Sequence, residues 1–295
     1  MSDTNSAAQP GAAALPRPPQ LSITRRRLIR TFRNPLVIIG LVIIGFWVLM
    51  AIGGPALRPY TYIEIISTPW TAPSADFWLG TDRMGRDMFA RLAVGARLML
   101  LLPVIAVSVG VALGAFIGLI TGYFGGLVDD IVMRLMDIVM AFPIIMLYLL
   151  VIFAIGPSPI NVIWAIGLGS APGIARLVRG LTLDLRGREF VAAAQMRGES
   201  SWYIMFSEIL PNLTGPILVD ACVRVAFAMF TTGFLGFLGL GMPEPTPDWG
   251  TMISEGRTWI FTAAWAPVFP MIGLSSLVIA LNLLADGLSQ AGWVD

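Results

Sequence analysis

The chain has 295 residues, of which 56% are hydrophobic and 13% are charged, and its net charge is +1. One soluble domain cannot bury so much apolar surface, so several transmembrane helices are expected. All 19 basic residues are arginine and the sequence contains no histidine. Without lysine, a Walker A ATP-binding loop and a Schiff base are excluded. Without histidine, histidine-based acid–base catalysis and metal ligation are excluded. No basic block indicates a nucleic-acid partner.

The N-terminal part of the chain predicts a tail followed by a membrane anchor. Residues 1–24 are rich in Ala, Pro and Ser, a composition typical of a disordered tail. A cluster of five arginines then precedes the apolar run 35–52, as at a cytoplasmic flank. The cluster consists of Arg25, Arg26, Arg27, Arg30 and Arg33. A twin-arginine export signal is the alternative, but the apolar run is long and more spans follow it.

Six apolar runs have the length of a membrane span. They are residues 35–52, 98–121, 135–155, 160–178, 217–240 and 266–284. The expected fold is therefore all-α, a polytopic membrane protein with six transmembrane helices and both termini on one side. Eleven arginines lie in the segments assigned to the inside and six in those assigned to the outside, which favours cytoplasmic termini.

This topology divides the chain into three parts, of which the first is the tail 1–24. After the tail, residues 25–97 would hold the first helix and an outer loop, and residues 98–290 a five-helix core. The loops 53–97 and 241–263 would face outward, and the polar segment 187–212 would face the cytoplasm.

The stretch EFVAAAQMRGESSWYIMFSEILPN within that segment predicts two short helices. Residues 189–197 contain good helix formers, and Gly198 can end the first helix. Ser200 or Ser201 can cap a second helix, which should stop near Pro211. A bulky face suited to a groove would consist of Trp202, Tyr203, Met205 and Phe206. An ordinary connector lying on the membrane surface explains the same pattern.

The first outer loop predicts an interfacial helix over residues 79–97. Asp82 with Arg86 and Asp87 with Arg91 are spaced as helical ion pairs. An apolar stripe accompanies them, formed by Phe77, Trp78, Met84, Met88 and Leu92. Such a helix could receive an external protein or brace a gate, and a purely structural collar is the alternative.

Charged residues inside the apolar runs are costly unless they are paired or face water. At the start of the third run, Asp130, Arg134 and Asp137 are expected to neutralise one another, with a gating role or a structural one. Asp220 and Arg224 are i,i+4 neighbours in the fifth run. They would line a translocation path or lock this chain to another subunit.

Two further patterns bear on packing. The stretch MPEPTPDWG should form an extended, stiff loop, and Trp249 and Trp259 suit a membrane interface. The loop would dip back into the outer vestibule or act as a plain connector. Gly110, Gly114 and Gly118 form a ladder that permits close approach of another helix.

Several motifs resemble one family of transport proteins. Ala193-Ala194-x-x-x-Gly198, followed by Ile209-Leu210-Pro211, resembles the "EAA" loop of permease subunits of binding-protein-dependent ABC importers. Four further stretches resemble the dipeptide/oligopeptide/nickel branch of that family, and its "C"-type permease fits best. They are LGTDRMGRDMFARLAVGARLML, GYFGGLVDDIVMRLMD, FLGLGMPEPTPDWGTMISEG and LNLLADGL. The resemblance covers roughly residues 25–290.

The resemblance implies an ABC type I importer permease fold in a bacterial inner membrane. It implies a homologous second permease, two ABC ATPase subunits that bind ATP and Mg, and an extracytoplasmic substrate-binding protein. The chain itself would hold no cofactor and perform no catalysis. The residues implied in ATPase coupling are Ala193, Ala194, Gly198, Glu199, Ser200, Ile209 and Pro211. Ala192 replaces the Glu of the motif, and Glu208 stands where this branch often has His.

Two other classes of function stay open on the residues alone. A secondary transporter or channel would need ionisable groups arranged for coupling at mid-membrane, and usually internal repeats. The sequence shows no such repeat and few charges within the spans. A membrane-anchored assembly component would lack a pore altogether. Uptake that depends on ATP distinguishes the importer from the transporter or channel, and the assembly component predicts that small pore-facing substitutions would have no effect.

Overall fold

The computed structural model describes residues 30–293, and the predicted tail 1–24 lies outside them. Within the described part, the elements are helices, and only two isolated β-bridges occur. The helices are α1 (Pro35–Gly53), α2 (Met88–Phe124), α3 (Gly126–Met140), α4 (Ile144–Ile155), α5 (Pro159–Arg186), α6 (Glu189–Met196), α7 (Ser201–Phe237), α8 (Trp249–Gly256) and α9 (Trp265–Leu288). The all-α prediction is therefore confirmed for residues 30–293.

Six membrane spans are present when one broken pair counts as a single span. Among the described residues, α1, α2, α5, α7 and α9 each have the length and apolar composition to cross a membrane. Helices α3 and α4 pass the same test only together, with a bend of 81° between them. A single third helix over 135–155 was a wrong prediction. Pro143 ends the helical hydrogen bonding, and the residue before a proline disfavours the α conformation.

The predicted interfacial helix over 79–97 was also wrong. Residues 77–87 form turns, and α2 begins at Met88 and continues directly into the second span, across the expected boundary at residue 97. Gly85 adopts φ +79°, and a Cβ there would lie 2.0 Å from the carbonyl oxygen of Ser67. Asp87 caps α2 by accepting a hydrogen bond from the backbone N–H of Ala90 at 3.4 Å. A positive-φ glycine and a capping aspartate together favour a turn over a helix.

The glycine ladder of α2 packs against α5, as its spacing predicts. A Cβ at Gly110 would lie 2.1 Å from Oγ of Ser170, and one at Gly114 would lie 2.7 Å from the carbonyl oxygen of Ala171. At Gly118 the distance to the carbonyl oxygen of Ala175 would be 2.5 Å. The two backbones therefore approach closely over several turns, which makes the α2–α5 pair the centre of the bundle.

The helix that begins at Ser201 does not stop near Pro211, contrary to the prediction. It continues as α7 through Pro211 to Phe237. The residues before the proline, Ile204–Ile209, are π-helical. A π-helical stretch shifts the hydrogen-bond register of a helix, so the missing N–H of Pro211 is accommodated without a break.

The buried apolar residues form two clusters at different levels of the bundle. One surrounds Trp47 and Trp249 and extends through the middle of the spans. The other lies under the 187–212 segment. Its members are Leu119, Tyr123, Ile174, Val178, Val191, Ala194, Ile204, Met205, Ile209 and Leu213. This second cluster ties the segment to α2 and α5.

Candidate functional site

The 187–212 segment has a sharp turn between α6 and α7. The N–H of Gly198 donates to the carbonyl oxygen of Gln195 at 2.9 Å, and the N–H of Glu199 donates to that of Ala194 at 3.2 Å. With φ +78° at Gly198, this is a Schellman motif, and glycine suits its left-handed position. Oγ of Ser200 then accepts from the N–H of Tyr203 at 3.2 Å, as the predicted N-cap.

One face of the segment is buried and the other is exposed. Ala194, Ile209 and Met205 are fully buried, so the prediction that Met205 belongs to the exposed bulky face was wrong. The residues expected for ATPase coupling that stay exposed are Gly198, Ser200 and Pro211, while Ala193 and Glu199 are partly buried. The exposed large side chains are Met196, Trp202, Tyr203 and Phe206. The sequence analysis missed Met196, which is 84% exposed.

The exposed face is held in shape by stacking and by an ion pair. The ring of Trp202 stacks on Phe206 with centroids 6.0 Å apart and on Phe116 at 6.4 Å. Arg197 contacts Glu208 at 3.1 Å and Glu199 at 3.7 Å. Glu208 therefore has a partner inside the segment itself, which stabilises the short connection between the two helices.

A buried charge cluster lies at the opposite end of the bundle. Asp82 and Arg86 form the expected pair at 2.7 Å, although in a turn and not in a helix. Asp87 does not pair with Arg91, contrary to the prediction. Arg91 instead contacts Asp82 at 3.2 Å, and Asp87 faces Arg58 at 3.5 Å. Burial raises the pKa of the Asp87 carboxyl, and the nearby Arg58 opposes that shift.

The two loops at this end are joined by charges. Arg83 contacts Glu255 at 2.9 Å and also pairs with Glu244. The hydrogen bond that Arg83 donates to Glu244 stabilises the charged guanidinium most. This bond and the nearby Glu255 carboxylate raise the pKa of Arg83. Burial raises the pKa of Glu255, although Arg83 acts in the other direction. The 53–97 and 241–263 loops thus form one connected outer layer.

The sequence predicted Trp249 at a membrane interface, and this prediction was wrong, because the residue is fully buried. It begins α8, and its Nε1 donates to the carbonyl oxygen of Leu92 at 3.0 Å. The indole fits there because Gly95 of α2 has no side chain: a Cβ at Gly95 would lie 2.7 Å from the ring. The donor is satisfied inside the protein, so the residue has no need of an aqueous boundary.

Asp248 is a structurally important residue that sequence reasoning missed. Its carboxylate accepts hydrogen bonds from the N–H groups of Gly250 at 2.8 Å and Met242 at 3.2 Å. Gly236 and Gly241 make room for it, since a Cβ at either would lie within 2.5 Å of a carboxylate oxygen. Burial raises its pKa. An aspartate directly before a helix is a capping signal that could have identified it.

The charges within the spans pair between helices. Asp130, Arg134 and Asp137 do not neutralise one another within the described chain, because Asp137 pairs with Arg176 of α5 instead. In the same way Asp129 pairs with Arg179. The closeness of α3 to α5 provides these partners, which a single-helix pattern cannot reveal.

Asp220 and Arg224 form the i,i+4 pair that their spacing predicts. Their side chains are 27% and 26% exposed. Arg224 also lines a cavity between α7 and the break that separates α3 from α4.

Comparison with known proteins decides the family. Residues 110–291 match the family described as "Binding-protein-dependent transport system inner membrane component". Residues 22–76 match "N-terminal TM domain of oligopeptide transport permease C". The chain belongs to the binding-protein-dependent permease family. It is therefore a multi-pass inner-membrane transport subunit and not an enzyme, and its fold is that of a type I importer permease.

Named relatives of this permease cover most of its length. The dipeptide transport system permease protein DppC of Alkalihalophilus pseudofirmus is 40% identical over 88% of this chain and 86% of the relative. The oligopeptide transport system permease protein OppC of Bacillus subtilis is 36% identical over 92% and 89%. The glutathione transport system permease protein GsiD of Pectobacterium atrosepticum is 36% identical over 87% and 84%. The resemblance to the dipeptide/oligopeptide branch is confirmed.

Proposed function

We propose that this permease forms half of the pore of an ATP-driven importer of peptides or related small solutes. A homologous permease supplies the other half, and an extracytoplasmic binding protein delivers the solute. Two separate ATPase subunits bind ATP and Mg. Both termini and the 187–212 segment lie in the cytoplasm. The names of the relatives support the transport class and the peptide-like solutes.

The observation that carries the ATPase contact is the two-sided character of the 187–212 segment. Its inner face is anchored in the second apolar cluster, while Met196, Trp202, Tyr203 and Phe206 are exposed. Apolar residues exposed on one face of a helix are typical of helix-in-groove recognition. The connector interpretation gives no reason for a rigid Schellman turn to present these residues at the end of the bundle.

The segment and the fifth span are one mechanical unit in this proposal. ATP binding brings the ATPases together and moves the docked segments with them. Since α7 starts inside the segment and runs uninterrupted to Phe237, the movement reaches the opposite end of the bundle. Alternating access then arises from rigid-body motion at helix interfaces. A secondary transporter would instead show uptake without ATP.

Substitution of Gly198 tests the ATPase contact. No atom lies within 4 Å of a Cβ built at this residue, so a side chain alters only the backbone preference. We expect Gly198→Val to disfavour φ +78° and to reduce co-purification of the ATPases about tenfold or more, with assembly of the two permeases unchanged. Gly198→Asn is the matched control, because asparagine tolerates this conformation. Equal ATPase recovery with both variants would contradict the proposal.

A further inference from the structure

A cavity of about 230 Å³ lies at mid-bundle, beside the break between α3 and α4. Its walls are mostly apolar and include Val107, Phe142, Tyr148, Gly173, Arg224 and Phe227. Of the residues that line it in the described part of the chain, Arg224 alone carries a charge.

The backbone of α5 makes room for the polar groups of this cavity. A Cβ at Gly173 would lie 3.0 Å from Nη1 and 3.2 Å from Nη2 of Arg224. One turn earlier, a Cβ at Gly169 would lie 2.5 Å from Cε1 and 3.1 Å from the hydroxyl oxygen of Tyr148. The guanidinium and the phenol therefore occupy neighbouring spaces that two glycines leave open.

The hydrogen-bonding capacity of these groups is only partly used. Nε of Arg224 donates to Asp220, and among the hydrogen bonds of residues 30–293 none involves Nη1, Nη2 or the Tyr148 hydroxyl. A guanidinium offers five N–H donors in a planar fork that matches a carboxylate. The Nη groups of Arg224 and the Tyr148 hydroxyl thus remain free to donate hydrogen bonds to a bound solute.

The depth of Arg224 in the membrane points to a water-filled or protein-covered surface. It lies at the middle of the stretch Leu210–Phe237, about 20 Å from either end at 1.5 Å per residue. A partly exposed ion pair at that depth is costly against lipid. The polar surface continues from there, since Asp137, one turn before the cavity-lining Met140, pairs with Arg176, and these two side chains are 58% and 53% exposed.

We propose that Arg224 receives the carboxylate of the solute in transit, with the Tyr148 hydroxyl as a second donor. This inference rests on the proposed import function and specifies the substrate class as solutes with a free carboxylate. The Nη edge of the guanidinium forms the charge-assisted hydrogen bonds. Asp220 still accepts the hydrogen bond from Nε and partly neutralises the guanidinium. The solute carboxylate is therefore bound weakly enough to dissociate again.

The test compares uptake of two probes by proteoliposomes. They contain the permease with its partner permease, ATPases and binding protein. The probes are radiolabelled alanyl-alanine and its C-terminal amide, each at a concentration that saturates the binding protein in a separate titration. The binding protein is identical in all samples. Its own preference for one probe therefore cancels when the uptake by each variant is divided by the uptake by wild type.

We expect Arg224→Gln to lower uptake of the free acid about tenfold or more and that of the amide less than threefold. Arg186→Gln, at an exposed arginine in the last turn of α5 and outside the cavity lining, is the control, which should leave the acid-to-amide ratio unchanged. Binding-protein-stimulated ATP hydrolysis should persist in both variants. Equal loss of both probes in Arg224→Gln, or no loss of either, would overturn the inference.

Two further arms keep the result decisive. If the binding protein accepts only the acid, or if Arg224→Gln does not assemble, Arg224→Lys is compared with wild type and with Arg224→Ala. Lysine keeps the positive charge without the planar fork, so it should retain more uptake of the acid than alanine does, and a loss as large as that of alanine would refute the role. A wild-type complex that takes up neither probe with ATP would contradict the proposed function instead.

Discussion

Single glycines determine where the helices of this permease can touch. Gly114 of α2 faces the carbonyl oxygen of Ala171 and Cβ of Ile174, each 2.7 Å from where its own Cβ would be. Nothing lies within 4 Å of the equivalent point at Gly45 of α1. The same residue type is thus a packing requirement in one helix and a neutral position in the other.

Replacement of Gly114 by leucine should force α2 and α5 apart. We expect a loss of roughly 1–3 kcal/mol in the free energy of unfolding, because overpacking a tight interface requires backbone shifts. Gly45→Leu should cost less than half as much. The melting temperature of the purified permease, followed by size-exclusion chromatography after heating, measures the difference. Equal melting temperatures for the two variants would show that the ladder does not set the helix distance.

Asp248 gives a pH-dependent prediction at the residue scale. Burial raises the pKa of its carboxyl above the ordinary value of about 3.9. The folded state therefore retains a proton that the unfolded state has lost, so the contribution of this group to stability is complete below that ordinary value and declines as pH rises through the folded pKa.

Asp248→Asn should abolish this decline and also weaken the loop. The asparagine has one carbonyl oxygen for the two N–H groups of Met242 and Gly250, which should cost about 1–2 kcal/mol at the acidic end. The gap in melting temperature between wild type and variant should narrow as pH rises from about 4 upward. Asp76→Asn, at an exposed aspartate, is the control. A gap that widens with pH would contradict the raised pKa.

At the scale of elements, α6 and the first turns of α7 present a surface that their sequence only partly reveals. The sequence predicted the Schellman glycine, the serine cap and the exposure of Trp202 from local rules. It assigned Met205 to the exposed face because helical spacing does not tell which side meets α2 and α5. The π-helical stretch before Pro211 rotates the later residues about the helix axis, and no local sequence pattern predicts this stretch.

Met196→Asp tests the exposed surface without disturbing the core. The side chain is 84% exposed, so the melting temperature of the permease should change by less than 1 °C or so. Binding of the ATPases should weaken roughly tenfold or more if Met196 enters their groove. Quantitative co-purification of ATPase per permease measures the effect. Asn212→Asp, which adds the same charge at another exposed position of the segment, separates a general charge effect from loss of the apolar contact.

The loops show the limit of local spacing more clearly. An i,i+4 pattern in 79–97 predicted a helix with two ion pairs. The chain instead turns at Gly80 and Gly85, and of those two predicted pairs only Asp82 with Arg86 forms. Asp87 pairs instead with Arg58, earlier in the outer loop, and Arg91 pairs with Asp82, which the turn brings within reach. Charge spacing alone does not distinguish a helix from a turn when positive-φ glycines intervene.

On the scale of the whole molecule, composition was enough to predict the architecture. Within residues 30–293 the apolar runs identified five single-helix spans and the broken α3–α4 pair that counts as a sixth, because a span must supply about 20 apolar residues to cross the bilayer. The break in the third span could have been predicted from Pro143. The ion pairs of Asp129 and Asp137 with α5 could not, because they depend on how α3 packs in the folded protein. The cavity at Arg224 arises from four separate segments, so no single stretch of sequence could predict it.

Helix α7 gives the account its mechanical basis. Its 37 residues span about 55 Å at 1.5 Å per residue, from the 187–212 segment to the outer layer. Arg224 lies in it, and Gly236 near its end leaves room for the carboxylate of Asp248. A force applied to the exposed segment would therefore act on the cavity and on the outer loops together.

The most direct test of the central claim is the energy source of transport. Proteoliposomes that hold this permease with its partner permease, ATPases and binding protein should take up alanyl-alanine only when ATP is supplied to the ATPase side. Uptake should stop when the ATPases carry a substitution in their nucleotide-binding lysine, and omission of the binding protein should have the same effect. Uptake at the wild-type rate without ATP, or driven by an ion gradient alone, would contradict the importer assignment.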